Sequence, residues 1–161
     1  MLDFQCVARL FRTKLQNILH SETTAHNIAA QYDYFRSHST IKIDANTDTA
    51  APCSCEINPA GEYSVSGTNP WDCQSTYFGS LRITHEGTGY RAQWQIGFTG
   101  DGQSGSGFCA GGMLCISFIY YDEGQRYGGK VIYKVLSDRL IGFWSEHGEE
   151  NTGSEICLKK S

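Results

Sequence analysis

The sequence predicts an all-β fold: an up-and-down antiparallel barrel of about eight strands over residues 61–158, preceded by an N-terminal α-helical extension. Three observations carry this. Composition breaks near residue 50, with all 18 glycines, all 3 prolines and all 3 tryptophans beyond it. Past the break, apolar residues recur with period two, as they do in strands whose successive side chains face opposite ways. Glycine-rich turns separate these runs at the short spacing of hairpin-linked strands.

Ahead of the break the period is helical. Phe4, Val7, Phe11, Leu15 and Ile18 recur at three- and four-residue spacing, and Ser21, Thr23 and Thr24 break that helix and can cap a second one to about Tyr34. Between Phe4 and Ser21 the only charges are Arg9, Arg12 and Lys14. A basic amphipathic helix of this kind suits a transit peptide or a membrane surface; packing against its own domain is the plainer expectation. Residues 1–45 therefore read as a helical extension, and 46–60, with Pro52 and Pro59, as a linker.

Within 61–158 the strands fall at 61–66, 77–85, 90–98, 103–110, 113–120, 128–136, 139–145 and 152–158. Three hairpin registers can be tested against one another. A two-residue turn at Gly111-Gly112 pairs Cys109 with Leu114, Gly107 with Ile116 and Gly105 with Phe118. A turn at Ser137-Asp138 pairs Val135 with Leu140, Tyr133 with Gly142 and Val131 with Trp144, and a turn over Glu86–Gly89 pairs Ile83 with Ala92 and Leu81 with Trp94. Each register places apolar opposite apolar on one face, and a slip by one residue would turn Lys130 and Lys134 inward. Sequential hairpins close most simply into a barrel, which leaves no edge.

Barrel geometry then locates a site. Short turns near 86–89, 111–112 and 137–138 share one rim, the floor; longer loops near 67–76, 99–102, 121–127 and 146–151 share the other, the mouth. Tyr63, Leu81, Tyr90, Trp94, Phe118, Tyr133 and Trp144 line the lumen, with Trp71 outside it in a loop. Gly105, Gly107 and Gly142 leave room for a cavity or for those rings. A barrel of this size is either filled by side chains or holds one small ligand; the filled core is expected slightly ahead. The ligand-binding candidates are Tyr63, Tyr90, Trp94, Phe118, Tyr133, Trp144, Glu146 and His147. The mouth loops and their edges carry Asp72, Asp101, Asp122, Glu123, Glu146, Glu149 and Glu150 against a single Arg126, which favours a neutral or cationic, partly aromatic ligand.

Other chemistry finds little support. H-E-x-x-H, Walker A, G-x-S-x-G and G-x-G-x-x-G are absent, so no catalytic residue or cofactor is assigned. Cys109 and His85 face the floor, where a thiol–imidazole pair could act; two polar residues plugging a barrel end is the plainer reading. The net charge of −4 disfavours a nucleic-acid partner, and no window approaches the apolar length of a membrane-spanning helix. The N-terminus shows no apolar signal-peptide core, and the compartment stays open. Seven cysteines leave at least one unpaired. Cys53 and Cys55 could reach Cys73 as a bridge or part of a metal site; without a C-x-x-C pair, reduced apolar thiols and no metal are expected. The leading function is a non-catalytic binding barrel. The alternatives are a small-barrel isomerase, cyclase or hydrolase using mouth carboxylates with His147, and an adhesion module binding protein through its outer wall. On that wall Ile119, Ile132, Leu136, Ile141 and Phe143 form a patch that needs covering. The stripe Phe4, Val7, Phe11, Leu15 and Ile18 is one cover, and a second barrel in a homodimer is the other.

The strand motifs themselves carry a resemblance. Gly61–Pro70 (GEYSVSGTNP), Gly79–Thr84 (GSLRIT) and Tyr90–Gly97 (YRAQWQIG), followed by Val131–Val135, Leu140–Trp144 and Gly153–Glu155, resemble a family of small bacterial exported proteins often labelled fibronectin-binding proteins. The resemblance covers about residues 61–158 and implies a barrel similar in architecture to avidin and lipocalins. The helical N-terminus, the lack of a visible signal peptide and the cysteines depart from the pattern.

Overall fold

A computed structural model describes residues 24–39, 57–72, 74–97 and 101–161. Among the described residues one helix, α1 (residues 24–37), precedes eight strands: β1 (Gly61–Thr68), β2 (Thr76–Glu86), β3 (Gly89–Ile96), β4 (Asp101–Ala110), β5 (Met113–Asp122), β6 (Gln125–Val135), β7 (Arg139–Glu146) and β8 (Gly153–Lys159). Every strand pairs antiparallel with its sequence neighbour, and β8 pairs with β1 to close the barrel.

The three registers expected from the turns are those observed. Gly107 faces Ile116, Tyr133 faces Gly142, and Leu81 faces Trp94. Gly111 and Gly112 both take positive φ (59° and 75°), the conformation a two-residue hairpin turn requires. The connection at 121–127 is not the long loop expected. β5 and β6 stay paired out to Asp122 and Gln125 and turn at Glu123-Gly124, again with positive φ at both positions (48° and 79°). Asp-Glu-Gly-Gln reads as polar loop by composition; its turn chemistry makes it a hairpin tip.

The two faces of the barrel wall have separate cores. Inside, Tyr63, Val65, Leu81, Ile83, Ala92, Trp94, Leu114, Ile116 and their neighbours form one buried cluster. Outside, α1 lays Ile28 and Tyr32 on Met113, Cys115, Ile132 and Phe143, with Phe35 beside them. Residues 28, 32 and 35 recur at helical spacing, so they fall on one face. Tyr32 meets the Phe143 ring edge-on, centroids 5.3 Å apart at 70°. Burying a side chain such as Ile28 contributes about 1.5–3 kcal/mol before ordering costs. The outer patch around Ile132 and Phe143 is thus covered from within the chain, by α1. The stripe from Phe4 to Ile18 lies outside the described residues, as do Cys53, Cys55 and Cys73.

The end of α1 is tied to the mouth. Thr152, before β8, donates its hydroxyl to the Phe35 carbonyl (2.6 Å), its backbone forms a parallel bridge with Ser39, and its amide reaches His38 O (3.4 Å). At the floor, Ile57 packs against the inner core, and the Tyr63 hydroxyl donates to the Pro59 carbonyl (2.8 Å), so the last residues of the expected linker close the barrel's lower end.

Candidate functional site

The lumen is not filled. A cavity of about 180 Å³ opens at the mouth end, lined by Asn69, Trp71, Tyr77, Trp94, Ile96, Gln103, Phe118, Tyr120, Val131, Tyr133, Trp144, Glu146 and Glu155. The large rings lie flat against the wall because glycines let them. A Cβ on Gly142 would stand 2.4 Å from Tyr133, one on Gly67 2.3 Å from Tyr77, and one on Gly153 2.4 Å from Trp144. Each ring therefore lies over a glycine of a neighbouring strand, an aromatic–glycine pairing that fits a strongly curved sheet. Gly105 and Gly107 have another role: a Cβ there would strike the β5 backbone, at 2.5 Å from Ser117 O and 1.8 Å from Cys115 O. They bring β4 and β5 close together and make no room for a ligand.

At the heart of the cavity stands Glu155, a carboxylate only 5% exposed. β8 turns Gly153, Glu155 and Cys157 to the face shared with Trp144, Gly142 and Leu140 across the ladder. The Glu155 Oε1 accepts from the Tyr133 hydroxyl, from Trp94 Nε1 (3.2 Å) and from the Cys157 thiol (3.2 Å); Oε2 accepts from the Tyr77 hydroxyl (2.9 Å). Every hydrogen bond described for this carboxyl is one it accepts. A carboxylate in an apolar wall requires such donors, because an unpaired buried charge is expensive.

The donors are held in their protonated forms. Burial raises Tyr133 well above the ordinary tyrosine range, with Cys157 and Glu155 adding to it. Burial and then the Glu155 charge do the same to Tyr77 and to the Cys157 thiol. Nearer the mouth, the Tyr120 hydroxyl donates to Glu146 Oε1 (2.5 Å), and burial and that bond raise its pKa in turn. Trp144 Nε1 is buried beside the Tyr77 hydroxyl, which gives its proton to Glu155 and keeps its oxygen as an acceptor facing the indole.

Aromatic rings form the walls. Trp71 stands edge-on to Trp144 (centroids 6.0 Å, 86°), Trp144 to Phe118 (6.2 Å, 77°) and Phe118 to Trp94 (6.3 Å, 64°). Tyr120 stacks on Phe118 (6.5 Å, 23°) and Tyr127 on Tyr120 (5.2 Å, 18°), carrying the aromatic wall out to the rim. Among the described residues lining the cavity, none is Lys, Arg or His.

Of the residues expected at the site, Trp94, Phe118, Tyr133, Trp144 and Glu146 line this cavity together. Tyr63 and Tyr90 sit nearer the floor, Tyr63 in the solid core and Tyr90 half-buried against His85 (4.7 Å). His147 is exposed after β7, its amide bonded to Gly128 O (3.0 Å), and does not line the cavity. His85 is likewise exposed, while Cys109 packs half-buried against the core. Among the mouth acids, Asp72 caps its own loop: the Gln74 amide donates to it (3.1 Å), and the Ser75 hydroxyl lowers its pKa. Asp122, Glu123, Glu149 and Glu150 are exposed and outside the cavity lining. Trp71 lies outside the barrel as expected, 62% exposed, yet it forms one side of the mouth.

No protein-family model and no curated protein matches the chain in sequence. The site therefore has to be read from its own chemistry. Sequence reasoning passed over Glu155, Tyr77 and Trp71. The signal for Glu155 was present: Gly153, Glu155 and Cys157 alternate with Ser154, Ile156 and Leu158, and that alternation puts one carboxylate on the inner face. Tyr77 stands four residues before Leu81 on the strand expected at 77–85, so the same alternation turns it inward; Trp71 belongs to the first mouth loop, where no alternation indicates a direction.

Proposed function

We propose that the protein is a non-catalytic binding barrel for a small organic cation with an apolar body. A place among avidin- and lipocalin-like ligand barrels belongs to the same proposal. One observation carries it: a buried carboxylate, Glu155, in an aromatic cavity whose described lining contains no basic side chain. An ionised carboxyl in a low-dielectric wall favours a positive ligand, because field lines are not screened by solvent there. Aromatic faces within reach add cation–π attraction of about 0.5–2 kcal/mol per well-placed ring. The cavity, about 180 Å³, is smaller than the pockets that hold drug-sized molecules, so the ligand is a small one.

The test is a low-salt screen of amines, neutral apolar compounds and matched carboxylates, read by tryptophan fluorescence. Trp71, Trp94 and Trp144 all line the cavity, so occupancy changes the signal directly. Amines are expected to bind best, and Glu155→Gln to remove the preference for charge. Carboxylates binding best would overturn the reading.

A further inference from the structure

Resting on the cation reading, we infer that the ligand's charged centre is an alkylated ammonium, with methyl groups where a primary amine has N–H groups. The argument is a count of donors and acceptors at one carboxylate, joined to the shape of the walls around it.

A carboxylate offers about four acceptor positions. On Glu155, Oε1 already receives Tyr133, Cys157 and Trp94, the last shared with the Tyr133 hydroxyl, while Oε2 receives Tyr77 alone and keeps one position open. Glu146 receives Tyr120. Trp144 Nε1, in a residue 9% exposed that lines the same cavity, adds a further donor beside the Tyr77 hydroxyl. The inner end of the cavity is therefore rich in donors and leaves one position open on Glu155; the further acceptors, Glu146 and the amides of Asn69 and Gln103, stand towards the mouth. A primary ammonium brings three N–H donors, each of which loses a water on entry. Beside Glu155 it would find an open position for one of them, at the cost of burying the others without partners. A quaternary centre keeps the charge and asks for no acceptor. Its methyl groups bury apolar surface, a gain that is independent of the charge.

The walls match that centre. Trp71, Trp144, Phe118 and Trp94 succeed one another at centroid spacings of 6.0–6.3 Å and interplanar angles of 64–86°. All four line one cavity, and rings set near right angles offer it both faces and edges, so a cation inside has more than one aromatic neighbour. An ammonium sheathed in methyl groups makes such contacts on all sides and gives up little hydration to do so. Glu155 then acts as a counter-charge at the back of the cavity, without a direct N–H bond.

The experiment compares butylamine with butyltrimethylammonium by calorimetry at low salt, on wild type, Trp71→Ala and Trp71→Phe. Trp71 is largely exposed at the rim, so its replacement leaves the core intact. The trimethylated probe is expected to bind about tenfold more tightly than the primary amine, Trp71→Ala to remove much of that gain, and Trp71→Phe to restore part of it. Butylamine binding as well as or better than its trimethyl counterpart would overturn the inference while leaving the cation reading in place. If neither probe binds and neutral compounds do, the cation reading itself fails. A second arm separates the sources of such a group. Phosphatidylcholine vesicles that carry the protein upward in flotation would assign it to a lipid headgroup, and binding of the soluble probe without flotation to a free metabolite.

Discussion

Gly142→Ala is the substitution that most directly couples the barrel's geometry to its site. Gly142 is buried on β7 opposite Tyr133, and a Cβ there would lie 2.4 Å from Tyr133 Cδ1 and 2.5 Å from Cε1. Carbon atoms in contact prefer about 3.5–4.0 Å, so the ring must retreat by about 1 Å. Tyr133 is fully buried and its hydroxyl donates to Glu155, so retreat also disturbs that bond. Overpacking costs about 1–3 kcal/mol. A hydrogen bond to a charged group is worth about 1.5–3 kcal/mol. The two costs share one movement and do not add fully, so about 3 kcal/mol is expected, a large part of a typical domain's stability. Urea unfolding followed by both fluorescence and circular dichroism measures it. Gly102→Ala is the control: nothing lies within 4 Å of its Cβ, and a change within about 0.5 kcal/mol is expected. Gly142→Ala within about 1 kcal/mol of wild type would show that Tyr133 is not held against that glycine, and the account of the curved wall would fail.

Other expectations follow from the same contacts. Tyr133, Tyr77 and Cys157 have folded-state pKa values raised above their ordinary 10.0, 10.0 and 9.0, so the stability they contribute is complete below about pH 8.5 and declines as pH climbs beyond the unfolded values. The urea midpoint should fall between pH 9 and 11, with a later onset in Cys157→Ala; a flat midpoint would contradict the buried network. Tyr32→Ala should cost about 3 kcal/mol and speed amide exchange in α1 while the inner core stays protected, since Tyr32 anchors the helix to Phe143. Equal loss of protection throughout the barrel would mean the helix is part of one cooperative core. Thr152→Val should loosen the end of α1 by about 1 kcal/mol through loss of its bond to Phe35 O, seen as faster exchange at His38 and Ser39.

The barrel was legible because three independent turns dictated three registers that agreed. Gly111-Gly112 demanded positive φ, and Lys130 and Lys134 excluded the slipped alternative. The outer patch around Ile132 and Phe143 was legible for the same reason; the cover seen among the described residues is α1, while the stripe from Phe4 to Ile18 lies outside them. The stripe at Ile28, Tyr32 and Phe35 is short and interrupted by polar residues, so its period is weaker than that of the one beginning at Phe4. The open lumen was less legible. Whether rings fill a barrel depends on which glycines they lie over, and Tyr77 over Gly67 or Trp144 over Gly153 follows from the barrel's curvature, which residue spacing does not reveal. Glu155 was hidden differently: a single acid in a terminal strand resembles a solvent-facing residue until the register of β7 and β8 is known.

The central claim is that the lumen selects positive charge through Glu155. An isosteric pair tests it most directly: a trimethylammonium compound against its carbon counterpart, in which a tert-butyl group replaces the charged nitrogen. Shape and apolar area are nearly the same, so the difference in calorimetric affinity isolates charge. The account predicts that wild type prefers the cation by about tenfold or more at low salt, and that Glu155→Gln reduces the difference towards none. A wild-type protein that binds the carbon isostere as tightly as the cation would contradict it.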